Sequence, residues 1–204
     1  MIPPPSDDAK EEDFLVQCAR AGDDNAFDQL YQRHRTALCG YVTRMSGSYE
    51  DAQQITQDIF IIAWQELSDL QSNTSFKSWL YGIATHRTLD WLRRRHRFEW
   101  LSWEEHTQIL DLFDYSRGRC DVSPDEQVIS REITKLALQN VTDSYRACLL
   151  LQIDVGLPQK EIASLLGISE KSVSVFVKRA LQQYQKALGQ IERDIQTDLE
   201  KRSK

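Results

Sequence analysis

From Phe27 to Met45 the chain returns an apolar or aromatic side chain to one face at every helical turn: Phe27, Leu30, Tyr31, His34, Leu38, Tyr41, Val42 and Met45. That is the 3.6-residue period of an amphipathic helix. The same period runs through Ile55, Ile59, Phe60, Ile62, Ala63, Trp64 and Leu67, and again through Phe76, Trp79, Leu80, Ile83 and Ala84 in a helix over 76–96. Ser68 to Ser75 between them reads as a polar loop. No strand-like alternation persists, and the Asn-Gly and Gly-Pro signals of tight hairpins are absent. The pattern predicts an all-α chain.

The period lapses once. Between Arg97 and Val122 it is lost, and Glu99, Glu104, Glu105, Asp111, Asp114 and Asp121 outnumber Arg97, Arg117 and Arg119. A short helix could form within WLSWEEHTQILDLF. Order then resumes sharply at Ser123-Pro124-Asp125-Glu126, a capping box with its helix-start proline. A helix to about Gln139 follows, and Thr142 is placed to cap the next. A chain of 204 residues accommodates one or two domains. The expected organisation is two small helical domains, 14–97 and 124–190, joined by an acidic linker at 98–123. The second carries a helix-turn-helix. An acidic N-terminus, 1–13, reads as disordered, and 191–204 is a charged C-terminal tail, either solvated or continuing the last helix.

Several classes drop out early. No apolar run approaches the roughly 18 residues of a membrane span, so no membrane insertion is expected. MIPPPSDDAKEEDF lacks the basic start and apolar stretch of a signal peptide, which points to a cytoplasmic protein. Cys18, Cys39, Cys120 and Cys148, with His34, His86, His96 and His106, never fall at metal-ligand spacing. No metal and no cofactor are expected. Neither a nucleophile–base set nor a glycine-rich phosphate loop is present, so the chain does not read as an enzyme.

The last third, GLPQKEIASLLGISEKSVSVFVKRALQQYQKAL, carries the most specific spacing. Ala163 is small enough for two helices to approach, Gly167 supplies the turn, and Val173 anchors the second helix. Ser169 is placed as its N-cap. Val173, Val177, Ala180, Leu181 and Tyr184 form a buried stripe. Lys171, Ser172, Val175, Phe176, Lys178 and Arg179 remain outside or on its flanks. Such a helix lays its N-terminal residues in a DNA major groove while Lys and Arg hold phosphates.

A second basic feature contradicts the overall charge of −6. Between Phe76 and Arg97 stand Lys77, Arg87, Arg93, Arg94, Arg95 and Arg97, opposed only by Asp90 and interleaved with Trp79, Tyr81 and Trp91. Arginines bind backbone phosphates, and aromatic rings stack on unpaired bases. Trp79, beside Leu80 and Ile83, reads as core. The four arginines at 93–97 lack nearby acidic partners in sequence. A third face belongs to the helix around Ile59. With Ile55, Ile59, Ile62 and Ala63 buried, Gln54, Gln57, Asp58 and Ile61 point outward together, an apolar residue with a polar rim.

Taken together these stretches resemble the extracytoplasmic-function sigma factors, the compact two-domain branch of the sigma-70 family, over Phe14 to Leu188. DAQQITQDIFIIAW (51–64) is similar to the family's polymerase clamp-binding helix through Gln57, Asp58, Phe60 and Trp64. FKSWLYGIATHRTLDWLRRRHR (76–97) resembles the helix that contacts the −10 promoter element, and the last third resembles the −35-reading domain. The resemblance implies a protein that binds core RNA polymerase, on the clamp of its largest subunit and the flap of its second largest, and directs it to promoter DNA. It implies −10 contacts by Asn73, Lys77, His86, Arg87, Arg93, Arg94, Arg95 and Arg97, and −35 contacts by Lys160, Ser169, Lys171, Ser172, Phe176, Lys178 and Arg179. Gln54, Gln57, Asp58 and Ile61 would bind polymerase, the acidic linker would enter its active-site cleft, and an anti-sigma factor would hold the chain inactive.

The chain departs from the family pattern at Gln54, where an acid is frequent, and at His86, where Asn is common. Pro158 replaces a frequent Ser. Ser174 and Phe176 replace frequent basic residues; Phe176 would pack on a thymine methyl or on a neighbouring helix. The competing reading is a stand-alone helix-turn-helix regulator that binds operator DNA as a dimer.

Overall fold

A computed structural model describes residues 7–70, 74–101 and 124–202. The described residues form eight α-helices and no strand: α1 (Asp7–Arg20), α2 (Asp24–Ser46), α3 (Tyr49–Gln65), α4 (Phe76–Leu101), α5 (Pro124–Gln139), α6 (Asp143–Ile153), α7 (Gln159–Leu166) and α8 (Glu170–Arg202). A single 3₁₀ turn spans Leu67–Asp69. The all-α expectation holds.

Local chemistry sets the boundaries. Asp23 caps α2 by accepting from the Asn25 and Ala26 amides at 2.9 and 3.3 Å. Gly47 ends it in the left-handed region, φ 80°, returning its N–H to Thr43 O. Ser48 caps α3 through the Asp51 amide, and Ser75 caps α4 through the Ser78 amide. Pro124 opens α5 as expected; Ser123, like Asn73 and Cys120, lies outside the described residues. Thr142 precedes α6 without a side-chain capping bond, and its N–H donates instead to Gln183 Oε1 at 2.9 Å.

Helices α1–α4 pack around Leu30, Leu38, Tyr41, Val42, Met45, Ile59 and Leu80; α5–α8 pack around Ala137, Ala147, Leu151, Ile162, Val173 and Ala180. Each buried Leu, Ile, Val or Met stabilises by about 1.5–3 kcal/mol. Tyr41 and Thr85 share a buried hydroxyl bond of 2.7 Å that pins α2 to α4. Burial pushes the Tyr41 hydroxyl above the ordinary phenol range, and Tyr81 beside it up to about 12. The two halves then meet: α4 packs on α6 and α7, and α2 on α5 and α6.

Several boundaries move. Residues 7–13, expected as disordered, are the first turns of α1. Leu15, Val16 and Ala19 bury against the bundle, and the preceding turn is tied down by Glu11–Arg33 and Glu12–His34 pairs at 2.8 Å each. Glu12 also accepts from the Lys77 backbone at the start of α4, so an acid next to a helix N-terminus steadies two elements. Residues 98–101, assigned to the linker, continue α4, and the tail continues α8 to Arg202. The rest of the linker lies outside the described residues. Leu181, expected buried, is exposed, and Ile62 is half-buried.

Candidate nucleic-acid and protein interfaces

The helix-turn-helix forms from α7 and α8. Ala163 is buried, Gly167 adopts φ 64° and gives its N–H back to α7, and Ile168 N–H donates to Ala163 O at 3.0 Å. Ser169 Oγ accepts from the Ser172 amide at 3.1 Å and pairs with the Ser172 hydroxyl at 2.8 Å. Both serines therefore shape the start of α8. Val173, Val177 and Ala180 are buried beneath it. Lys171, Val175, Lys178 and Arg179 fall at i, i+4, i+7 and i+8 and are exposed, which lines them along one outer face; Lys160 is exposed on α7.

Phe176 packs within α5–α8: its ring lies 4.8 Å from that of Tyr145, whose hydroxyl accepts from Arg179 at 2.9 Å. Arg179 also stands 5.8 Å above the Tyr145 ring. The apolar side chain left facing outward is Val175, 45% exposed. Sequence reasoning placed Val175 outside the helix core but did not count it among the base-reading residues. Its position between the buried Val173 and Val177 was the signal available.

Along α4 the basic residues divide into three groups. Arg93 pairs with Asp90, and Arg95 lies 3.7 Å from Asp51 and 5.3 Å over the Trp91 ring. The expectation that these arginines lack acidic partners is corrected by α3, which brings Asp51 from a distant part of the sequence. Arg94 and Arg97 make no ion pair among the described residues. Lys77 and His86 face the C-terminal half: Lys77 Nζ donates to Val155 O at 2.7 Å and His86 Nε2 to Leu165 O at 2.9 Å.

Gln54, Gln57, Asp58 and Ile61 are all exposed on α3, with Ile61 at 56%. Asp58 and Ile61 share a cavity of about 250 Å³ with Arg87, Arg94, Asp90 and Trp91, between α3 and α4. The residues assigned to polymerase and those assigned to DNA thus border one another. Trp64 extends the apolar surface, 39% exposed and edge-on to Phe27 at 4.8 Å, with Asp24 and Asp28 nearby. Among the described residues no cluster of His, Cys, Asp or Glu could hold a metal ion, and no helix is long and apolar enough to cross a membrane.

Arg146 is a structural residue that sequence reasoning missed. Arg146 is 2% exposed, and its guanidinium donates to the carbonyls of Leu138, Gln139 and Val141 at 2.8–3.1 Å and to that of Met45 on α2. Burial pushes its pKa down while Asp143, 3.2 Å away, opposes the shift.

Comparison with known proteins bears on both halves. Residues 30–98 match the family described as Sigma-70 region 2, and residues 131–183 match Sigma-70, region 4. The chain is 30% identical over 170 residues to RNA polymerase sigma factor CnrH of Cupriavidus metallidurans, covering 82% of this chain and 88% of that protein. It is 28% identical over 178 residues to ECF RNA polymerase sigma factor SigW of Bacillus subtilis, covering 85% and 94%. The solved structure of CnrH in complex with the cytosolic domain of CnrY superposes with a TM-score of 0.61 at 25% identity, covering 88% of this chain and 97% of CnrH.

Proposed function

This chain belongs to the extracytoplasmic-function branch of the sigma-70 family, and we propose that it binds core RNA polymerase and directs it to initiate at a specific class of promoters. One observation carries the reading: a single chain presents both a DNA-reading helix, α8, and an apolar protein-docking face around Ile61 that adjoins arginines on α4. A stand-alone regulator needs the first but has no use for the second.

In this reading Gln54, Gln57, Asp58 and Ile61 engage the polymerase clamp, with Trp64 enlarging the apolar centre. A buried apolar anchor with a polar rim is how protein interfaces divide affinity and specificity. Arg87, Arg94 and Arg97 lie along −10 DNA, helped by Arg93 and Arg95, with Asn73 beside flipped bases. Lys77 and His86 join them once the C-terminal half moves away. On α8, Lys171, Lys178 and Arg179 hold −35 phosphates while Val175 meets base edges, with Lys160 adding charge from α7. Ser169 and Ser172 act by fixing the start of α8, and Phe176 by wedging it on Tyr145. The nucleotide chemistry belongs to polymerase, so the chain is not itself an enzyme, and it works in the cytoplasm where promoters are. An anti-sigma protein holds it, as CnrY accompanies CnrH in the solved complex.

The test is run-off transcription from a promoter library by core polymerase with and without the chain. New start sites that depend on the chain are expected. Failure to bind core polymerase, joined to tight binding of a palindromic duplex alone, favours the dimeric regulator instead. Neutralising Glu99 to Asp114 should alter the lengths of abortive products; unchanged lengths remove the linker from the polymerase cleft.

A further inference from the structure

We propose that Tyr145 on α6 is a positioning residue for −35 DNA: it holds the Arg179 guanidinium of α8 so that one edge of the fork is left free for a backbone phosphate. The inference rests on the assignment of α8 to −35 DNA, and it names a residue that lies on neither helix of the helix-turn-helix.

The basic side chains on the outer face of α8 are not equally free. Among the described residues, Lys171 and Lys178 make no hydrogen bond, ion pair or ring contact. Arg179 makes two contacts, both to Tyr145: Nη1 donates to the phenol oxygen at 2.9 Å, and the guanidinium carbon stands 5.8 Å from the ring centroid. A hydrogen bond and a cation–π contact to one side chain restrain both the place and the rotation of the guanidinium. Its Nε and Nη2 make no hydrogen bond among the described residues. That edge presents two parallel N–H donors, the pair that grips a phosphate through two of its oxygens. Tyr145 is itself fixed. Its N–H donates to Thr142 O at 2.9 Å in the first turn of α6, and the next residue is the buried Arg146. Its ring packs on that of Phe176 at 4.8 Å and 57°. Phe176 and Arg179 stand at i and i+3 on α8, so both reach the same ring. Phe176 carries no charge, and it backs the ring that holds one.

The gain is one of order rather than of stability. Arg179 is exposed, and an exposed cation–π contact adds little to the fold. A free arginine gives up its rotamers when it meets a phosphate; one already held gives up fewer. For a single long side chain that saving amounts to about 3- to 10-fold in affinity. Lys171 and Lys178 bring charge without direction, since an ammonium is a point charge on a flexible stem. Arg179 brings charge in a set direction. A phosphate carries no base identity, so the advantage falls on all −35 sequences alike.

The test is a double-mutant cycle of Tyr145→Phe and Arg179→Ala, measured as binding of polymerase carrying the full chain to the duplex promoter that yields most run-off product. Tyr145→Phe keeps the ring and removes only the hydroxyl. With Arg179 present it should weaken promoter binding about 3- to 10-fold; in the Arg179→Ala background it should change nothing. A merely structural role for Tyr145 would weaken both backgrounds equally. The salt slope of binding should fall by about one unit in Arg179→Ala and hold in Tyr145→Phe, where the charge remains. Replacing each −35 phosphate in turn by a neutral methylphosphonate locates the contact. At one linkage wild type should lose about 10- to 100-fold, Arg179→Ala nothing, and Tyr145→Phe an intermediate amount. Equal effects of Tyr145→Phe in the two backgrounds, no effect in either, or no linkage at which wild type and Arg179→Ala differ each overturns the proposal. Wild-type chain that directs polymerase to no promoter refutes the sigma reading itself, so the two failures are distinguishable.

Discussion

Removing the Arg146 guanidinium should damage the fold more than removing any surface arginine. Arg146 is 2% exposed and gathers carbonyls from the end of α5 and from the end of α2, with Asp143 at 3.2 Å. Helix C-termini leave carbonyls without intrahelical partners, and a cation there meets both the orphan acceptors and the negative end of the dipole. Arg146→Ala strands these groups and leaves Asp143 with no cation at that position. Breaking a buried charged hub costs about 3–5 kcal/mol. For a chain of this size each kcal/mol moves Tm by about 2–4 °C, so a fall of roughly 6–20 °C is expected if the chain unfolds as one unit. Arg146→Lys keeps the charge but offers three donors from a point where arginine offers five from a fork. It should lose about 1.5–3 kcal/mol. Circular dichroism with urea and thermal melts measures both. The loss should hardly change between 0.1 and 0.5 M salt, because a buried pair is weakly screened. An Arg146→Ala chain within about 1 kcal/mol of wild type, or a Lys variant equal to wild type, refutes the reasoning.

Other outcomes follow from the same geometry. Replacing each −35 thymine by uracil, which removes only the methyl group, should weaken wild-type binding at one position and leave Val175→Ala indifferent there; no sensitive position removes Val175 from base reading. Ile61→Asp should weaken core polymerase binding by about 1.5–3 kcal/mol, roughly 10- to 100-fold, with little change in Tm because the side chain is 56% exposed. Arg94→Ala and Arg97→Ala should each lower the salt dependence of promoter binding by about one unit of slope, while Arg95→Ala, whose side chain is held by Asp51 and Trp91, should lower it less. Glu12 is held below its ordinary value of 4.5, chiefly by the hydrogen bond from His34. Its folded form favours the carboxylate, so its stabilisation is present above about pH 4.5 and is lost as pH falls through the lower folded value. Glu12→Gln should therefore cost about 1 kcal/mol at pH 7 and converge on wild type in acid; a pH-independent difference removes the charge from the account.

Short-range patterns were legible because their causes are local. The stripe from Phe27 to Met45 became α2, and Ala163, Gly167, Ser169 and Val173 formed the turn and cap that their spacing required. The outward face of Gln54, Gln57, Asp58 and Ile61 followed from helical period alone. The acidic start was misread because charge density outweighed Leu15, Val16 and Ala19, too short a stripe to stand out until α2 was there to receive it.

The sequence by itself determined that the chain is helical, where most helices begin, and which side of each is apolar, since capping and periodicity involve residues within a turn or two of one another. Only the tertiary structure decided that Asp51 neutralises Arg95, that Phe176 belongs to Tyr145, that Arg146 joins α5 to α2, and that Gly82 admits Leu165. Those partners are dozens of residues apart. Their energies depend on distance and burial after packing, quantities that no local pattern of residues contains.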